Sequence, residues 1–378
     1  MDKKLMRTAG RLVLGCAFSA ILLAILLLGV SGEIGTVRAA SQVQLWHQQG
    51  FPPGETFLYA VDRASGAFVF TYTLPTLNVG IGDIAVATQG GQQAVWFTQP
   101  SVDRLGMLVY TNTTQYLYRE YTVTVGSYPL NLTTGNGYIW FTAPGRNQIG
   151  RLNPVDGHVD EFVVPTPNSY PANLALASDG SLWFTQMQAD KIARLVITDT
   201  TDYVIHEYYT DTLSGGRPYG IAISGQSIWV AATATNKIIR FTPPNSWVTP
   251  GTLVSFDEPY ALAAISGNDV WIAERRGNRI TRFFIGTFPV AAPYDLSPLH
   301  SLPTALVRDT QNQVWFTQSG AGRIGKLTPT SPATLEYYPL PMQGLSPTSI
   351  ATGNDSSIWV LAYRPHRIYL PLVLRSHN

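Results

Sequence analysis

The sequence predicts an all-β fold, a seven-bladed β-propeller built from four-stranded antiparallel blades. The first observation is a tryptophan that recurs every 42 to 46 residues, at Trp96, Trp140, Trp183, Trp229, Trp271, Trp315 and Trp359. The second is an isoleucine nine residues after each of these tryptophans from Trp140 onward. The third is that each repeat divides into four short runs of β-branched and aromatic residues. A repeat of this length with four strands is typical of a propeller blade.

The repeat around Trp183 illustrates the four strands, which we call a, b, c and d. Strand a is predicted over 171–177 and strand b over 181–185, with a Ser-Asp-Gly turn between them. Strand c follows over 192–195 and strand d over 206–209. Each run is bounded by Gly, Pro, Asn or Asp, as strands are. Because a single blade exposes both faces, we expect the repeated tryptophan to fill the space between blades, where burying one is worth about 3 kcal/mol.

The two ends of the chain predict how the ring closes. Residues 57–62 and 68–74 read as strands c and d with no a or b before them, whereas 349–351 and 358–361 supply a and b. We therefore expect the N-terminal strands to complete the last blade, which leaves no free edge between the ends of the ring. The segment 367–370 competes for the same strand c position. We favour the N-terminal pair, which makes 57–370 the propeller and 371–378 a tail that serves as an extra edge strand or an attachment.

The first forty residues have a different composition. Lys3, Lys4, Arg7 and Arg11 precede an apolar run over 12–30, and a small-residue stretch ends at Ala40. This pattern is typical of an N-terminal leader helix, either a cleaved signal peptide or a membrane anchor. Both alternatives predict an extracellular or cell-surface propeller, joined by a linker over 41–56. Membrane contact is then expected only through the N-terminal segment.

Charge and cysteine content exclude several classes of function. The chain has 25 basic and 24 acidic residues, and 20 and 22 of them lie after residue 40. The exported part therefore lacks the positive charge of a nucleic-acid-binding protein. Its one cysteine, Cys16, lies in the leader, so no disulfide is expected. We expect a monomer whose partner is a small molecule, a peptide or a glycan.

Propeller geometry predicts where a site would lie. Strand a lines the central channel and strand b runs antiparallel to it, so the d–a and b–c loops of all blades converge at one channel mouth. Loops carried by a rigid scaffold are where binding and catalysis concentrate.

The repeated motifs resemble those of the virginiamycin B lyase (streptogramin lyase) family. The resemblance rests on Trp-Phe-Thr, on strands such as Asn-Gln-Ile-Gly-Arg-Leu, and on Pro-x-x-Ile-Ala, and it covers nearly all of 57–368. It implies a seven-bladed propeller. It also implies a lyase that opens a cyclic depsipeptide by elimination, with Mg²⁺ held by two glutamates and two histidines at the mouth, one of them the general base.

The family's site residues match this chain only in part. Glu258, before Pro259, and Glu274, three residues after Trp271, stand where the resemblance implies metal ligands for Mg²⁺ or Ca²⁺. Tyr219 and Tyr260 stand where it implies the histidines. Tyrosine has an ordinary pKa near 10 and makes a poor base unless that pKa is lowered strongly.

Other residues on the mouth side are candidates for binding. Tyr219 and Tyr260 with Gln186 and Gln318 could form a polar, aromatic-lined pocket, and Arg275, His300 and His366 fall in loops on the same face. Glu274 is also followed closely by Arg275, Arg276 and Arg279, which predicts a salt-bridged surface cluster as an alternative to a metal site.

Three interpretations stay open: a binding module without the family's chemistry, a metal-dependent lyase or hydrolase, and a structural or protein-interaction propeller with a plugged channel. The missing histidines favour the first.

Overall fold

The computed structural model describes residues 55–75, 82–112, 115–198, 202–209, 211–244, 246–248, 255–286 and 290–364. The predicted leader, the linker up to residue 54 and the tail lie outside these residues. No helix in the described part of the chain is long and apolar enough to cross a membrane.

Strands account for most of the described residues. The first half of the chain contains β1 Thr56–Asp62, β2 Phe68–Thr73, β3 Ile84–Gln89, β4 Gln92–Gln99, β5 Arg104–Asn112, β6 Gln115–Thr122, β7 Leu132–Gly135, β8 Tyr138–Ala143, β9 Gln148–Leu152, β10 Val159–Val163, β11 Pro171–Leu176, β12 Leu182–Gln186, β13 Lys191–Ile197 and β14 Tyr203–Tyr209. The second half contains β15 Pro218–Ser224, β16 Ser227–Ala232, β17 Lys237–Thr242, β18 Ser246–Val248, β19 Pro259–Ser266, β20 Asp269–Glu274, β21 Arg279–Phe284, β22 Val290–Asp295, β23 Leu306–Arg308, β24 Val314–Gln318, β25 Arg323–Thr328, β26 Thr334–Pro339, β27 Ser346–Thr352 and β28 Ser357–Tyr363. Short 3-10 turns lie at Pro100–Val102, Pro144–Arg146, Asp211–Leu213, Thr233–Thr235 and Ser319–Ala321.

The strands pair into seven four-stranded antiparallel sheets, which confirms the predicted propeller. Blade 1 is β3–β6, and blades 2 to 6 follow in groups of four strands up to β26. In the repeat around Trp183, strand d begins at Tyr203 rather than at His206.

The ring closes as predicted, through the N-terminal strands. Blade 7 has the order β2-β1-β28-β27, so the first two strands of the described chain complete the last blade. Phe57 pairs with Ala362, and Asp62 pairs with Ser357 at the other end of the strand. Beyond the strands, the Arg364 amide donates to the Glu55 carbonyl at 2.8 Å. The competing segment 367–370 lies outside the described residues.

The seven repeated tryptophans fill the space between blades, and each is at most 3% exposed. Trp96 of blade 1, for example, packs against Leu132 and Ile139 of blade 2. The basic residue of strand c lies over the tryptophan of its own blade in blades 2, 3, 5 and 6. The distances to the ring centroid are 5.4 Å for Arg151, 5.8 Å for Arg194, 5.9 Å for Arg282 and 5.5 Å for Lys326.

The glycine of the Ile-Gly-Arg motif makes room for the phenylalanine of Trp-Phe-Thr. Gly150 pairs with Phe141 across the two strands. A Cβ atom on Gly150 would lie 2.0 Å from the Phe141 ring, and the same contact occurs at Gly106 and Gly325. Blade 4, which has Val230 in place of phenylalanine, accommodates Ile239 at this position.

The threonine of Trp-Phe-Thr joins neighbouring blades. Its hydroxyl donates to the backbone carbonyl of the residue that follows the strand a proline in the next blade. The pairs are Thr98 to Leu130 at 2.8 Å, Thr142 to Ala172 at 3.1 Å and Thr185 to Tyr219 at 3.0 Å. These bonds hold the inner strands together at the level of the channel mouth.

Candidate binding site at the channel mouth

The b–c loops and the d–a loops are joined by an Asn or Asp in the left-handed conformation. These residues are Asp103, Asn147, Asp190, Asn236 and Asn278, with φ between 51° and 59°. Each accepts a backbone N–H from the following d–a loop, such as Ser169 to Asn147 at 2.8 Å and Glu258 to Asn236 at 2.8 Å. Asn and Asp tolerate this conformation better than other side chains. The asparagine of the Asn-x-Ile-Gly-Arg motif therefore fixes the loops that carry the mouth residues.

The residue before the strand a proline is itself left-handed in five consecutive blades. We call this set the mouth ring; it consists of Tyr128, Tyr170, Arg217, Glu258 and Leu302, with φ from 46° to 57°. A bulky residue with positive φ is uncommon, and a following proline normally favours extended backbone. Strain of this kind costs about 1–3 kcal/mol per residue and clusters at functional sites.

Tyr219 and Tyr260 form the aromatic floor of the mouth. Their rings stack with centroids 4.3 Å apart, and the side chains are 9% and 7% exposed. Met187 and Ala172 pack against them, with Tyr170 at the edge of the cluster. Burial raises the pKa of both Tyr219 and Tyr260, which keeps the hydroxyls neutral.

Polar side chains cross the channel beside this floor. The Asn131 amide donates to the Ala172 carbonyl at 2.6 Å and lies 3.4 Å from the Tyr219 hydroxyl. Asp83 accepts from the Ser349 hydroxyl at 2.5 Å. Burial raises the pKa of Asp83. Inner strands of several blades are therefore linked through their side chains at the mouth.

Glu258 and Arg275 form an ion pair on one side of the floor. The Arg275 guanidinium lies 4.4 Å from the centroid of the Tyr260 ring, and the Arg275 amide donates to the Glu258 carbonyl at 2.9 Å. Burial alone would lower the pKa of Arg275, but its neighbours Tyr260 and Glu258 raise it overall. The structure thus brings three sequence-predicted site residues into contact.

Glu274 is fully buried and its carboxylate has four donors. Arg279 binds it with two nitrogens, Nε and Nη2, each at 2.8 Å. The Asp257 amide donates at 2.6 Å, and the Thr281 hydroxyl also donates. Glu274 therefore belongs to a bidentate salt bridge inside blade 5, in the interior and not on the surface where the sequence predicted a cluster.

The side chain three residues after the blade tryptophan, the position of Glu274, is also buried and hydrogen-bonded in blades 3 and 6. Gln186 and Gln318 are fully buried rather than open to the mouth. Gln186 donates to Glu207 at 2.9 Å, and Gln318 donates to the Ser301 hydroxyl at 2.9 Å. Burial opposes ionisation of Glu207, yet hydrogen bonds from Thr166, Lys191 and Gln186 lower its pKa to about 2.

These contacts do not fit a divalent cation at Glu258 and Glu274. Each carboxylate already accepts from an arginine, and no group of three or more His, Cys, Asp or Glu side chains within the described residues could hold a metal. Mg²⁺ and Ca²⁺ need several oxygen ligands, and an adjacent guanidinium opposes a second cation.

Of the two loop histidines, the structure describes only His300. His300 is exposed in the d–a loop before blade 6, with φ of 62°, and His366 lies outside the described residues. Sequence reasoning missed Tyr128, Tyr170 and Arg217. The position immediately before each strand a proline was the signal that could have found them.

The family assignment follows from the comparison with known proteins. The sequence model of the virginiamycin B lyase family matches residues 64–284 and 252–369. The chain belongs to this family. Its match to the curated virginiamycin B lyase of Nocardia farcinica (strain IFM 10152) is 25% identical over 108 residues, which is 28% of this chain and 34% of that protein. The chain thus spans about a third of the length of the curated relative it matches.

Solved structures of family members cover much more of the ring. A streptogramin B lyase structure is 26% identical, covers 82% of this chain and 98% of that chain, and superposes with a TM-score of 0.66. A catalytically inactive virginiamycin B lyase from Staphylococcus aureus with quinupristin is 24% identical, with coverage of 81% and 99% and a TM-score of 0.65. At this identity the second comparison supports the fold alone.

Proposed function

We propose that this member of the virginiamycin B lyase family is an exported binding module that holds a small molecule, peptide or glycan at the channel mouth. The observation that carries the proposal is the mouth ring, in which five bulky residues keep a left-handed backbone around one opening. A strained backbone conformation of this kind persists only where the surrounding contacts hold it in place, and it occurs at binding sites, where it positions side chains for the ligand. A floor of stacked tyrosines with polar groups around it is the composition of a ligand pocket.

The contacts at the mouth favour binding over lyase chemistry. A general base needs a pKa near the working pH, and burial raises the pKa of Tyr219 and Tyr260 instead of lowering it. Glu258 is paired with Arg275, and Glu274 is paired with Arg279. These contacts support a binding role over removal of a substrate proton by either tyrosine and over Mg²⁺ binding by the two glutamates.

Export is proposed from the basic and apolar N-terminal segment, residues 1–40. Fractionation of cells expressing the full chain would test it: recovery of the protein outside the cytoplasm is expected, and recovery in the cytoplasm would contradict it.

The binding function is tested with the full-length protein and a panel of quinupristin, short peptides and oligosaccharides, followed by calorimetry. We expect one class to bind, and Tyr170→Ala to weaken that binding. Tyr209→Ala is a matched control, because Tyr209 is an exposed tyrosine on the outer strand β14. Equal loss in both variants, or no binding by any class, would contradict the proposal.

Catalysis is tested in the same samples. An elimination opens the ring without changing the mass, so reversed-phase chromatography is the readout for quinupristin. Ring opening that needs Mg²⁺ and is lost in Glu258→Gln would favour the lyase instead.

A further inference from the structure

Arg217 is a cation of the mouth ring without a carboxylate partner. No carboxylate oxygen within the described residues lies within 4.0 Å of its guanidinium, and its side chain makes no hydrogen bond there. The carboxylate of Asp190 accepts from the backbone N–H groups of Gly215 and Arg217, at 2.8 and 2.9 Å, and not from the Arg217 guanidinium. The guanidinium of Arg217 therefore keeps its donors for a ligand.

Tyrosines line the surface on one side of Arg217. Tyr170 and Arg217 occupy the same position before the strand a proline in the neighbouring blades 3 and 4, and Tyr170 packs against the stacked floor. Burial raises the pKa of Tyr170, the hydroxyls of Tyr219 and Tyr128 add to the effect, and the charge of Arg217 acts in the opposite direction. A flat apolar group could rest on this surface while a charged group reaches the guanidinium.

Arg275, which lies over Tyr260 of the floor, adds no net charge to the mouth. Arg275 is ion-paired with Glu258, and both side chains are largely buried, at 12% and 24% exposure. Among the charged side chains of the mouth ring and Arg275, Arg217 is therefore the one without an ion-pair partner in the described residues. A planar guanidinium with free donors matches a carboxylate or phosphate oxygen pair.

We infer that the mouth pocket recognises a ligand that carries one oxyanion next to a flat apolar group, with Arg217 binding the oxyanion and Tyr170 contacting the flat group. This inference rests on the proposed function. It adds the ligand class, which neither the family's motifs nor the floor tyrosines specify.

The test compares two probes that differ only in charge, N-acetyl-L-phenylalanine and its amide, on the full-length protein by ligand-observed NMR titration. One charge-assisted hydrogen-bonded pair predicts that the acid binds about tenfold more tightly than the amide. Raising the ionic strength should weaken binding of the acid but not of the amide. Arg217→Gln should abolish the preference, and Arg217→Lys should retain part of it.

Arg276→Gln is the matched control, because Arg276 lies on the same face but is exposed and already paired with Asp257. It should keep the preference for the acid. Equal affinity for acid and amide, or a preference that survives in Arg217→Gln, would overturn the oxyanion inference and leave the binding function standing. Binding of neither probe would overturn the inference, while the wider ligand panel decides the binding function separately.

Discussion

Removing the Glu274 carboxylate should destabilise the ring rather than abolish a metal site. Glu274→Ala leaves Arg279 and the Asp257 amide without their acceptor in a site where Glu274 is fully buried. Breaking a buried ion pair costs about 3–5 kcal/mol, because the remaining charge is uncompensated. Arg279 is 27% exposed and can recover some hydration, which places the expected loss near 3 kcal/mol.

Glu274→Gln is expected to cost less, about 1.5–3 kcal/mol, because it loses charge-assisted hydrogen bonds but keeps one acceptor. Glutamine already occupies this position in blade 3 and blade 6, at Gln186 and Gln318. Urea unfolding of each variant gives the free energy of unfolding by linear extrapolation. Asp257→Ala is the control, because its pair with Arg276 is exposed on both sides and worth at most about 1 kcal/mol.

The structural interpretation of Glu274 would be refuted by a Glu274→Ala protein that unfolds within about 1 kcal/mol of the wild type. It would also be refuted by Mg²⁺ or Ca²⁺ binding that stabilises the wild type and is lost in Glu274→Gln.

Three further predictions follow from contacts elsewhere in the ring. The pKa of Glu207 is lowered to about 2 from an ordinary 4.5, so its contribution to stability is present above pH 4.5 and is lost as the pH falls toward 2. The free energy of unfolding, measured with urea, should fall by about 2 kcal/mol across that range after allowance for solvent screening. Glu207→Gln should remove this part of the pH dependence. Gly150→Ile should lower the free energy of unfolding by about 1–3 kcal/mol, because the new side chain overpacks against Phe141. Adding Phe141→Val should restore stability, since blade 4 has this Val and Ile pair. If the two changes in unfolding free energy simply added in the double variant, the contact would be contradicted. Deletion of residues 1–74 removes β1 and β2 and should prevent the cooperative thermal unfolding of a protein that begins at residue 55. A cooperative transition after the longer deletion would contradict the closure.

The blade architecture could be predicted because its signal is repeated. Trp96 and its equivalents occur once per blade, and the missing strands at one end of the chain match the surplus at the other. Both observations depend only on spacing and strand content. The contact between Phe141 and Gly150 could not be predicted, because it requires the register between strands b and c.

The site was harder to predict because its residues are not repeated. The proline of strand a marks the position before it, but side chains as different as Tyr170 and Arg217 stand there, so no shared residue type indicates a site. Glu274 had a family precedent and a nearby Arg279, and the sequence left both interpretations open. Its burial and its contact with Arg279 favour the salt bridge, and neither property can be obtained from a sequence.

Closure of the ring by β1 and β28, which the bond between the Arg364 amide and the Glu55 carbonyl extends, also limits the order in which the molecule can fold. β1 and β2 precede the other described strands in the chain, yet β28, which pairs with β1, follows all of them. Until β28 is made, the edge of β1 that does not pair with β2 has no partner, and the core that takes in Leu58, Tyr59 and Val61 is incomplete. Contacts that span nearly the whole chain form slowly, since the loop-closure entropy is lost before the contact is gained. The nascent chain therefore carries a β-hairpin with one unpaired edge until β28 is made, and a chaperone that covers this edge would protect the protein from aggregation.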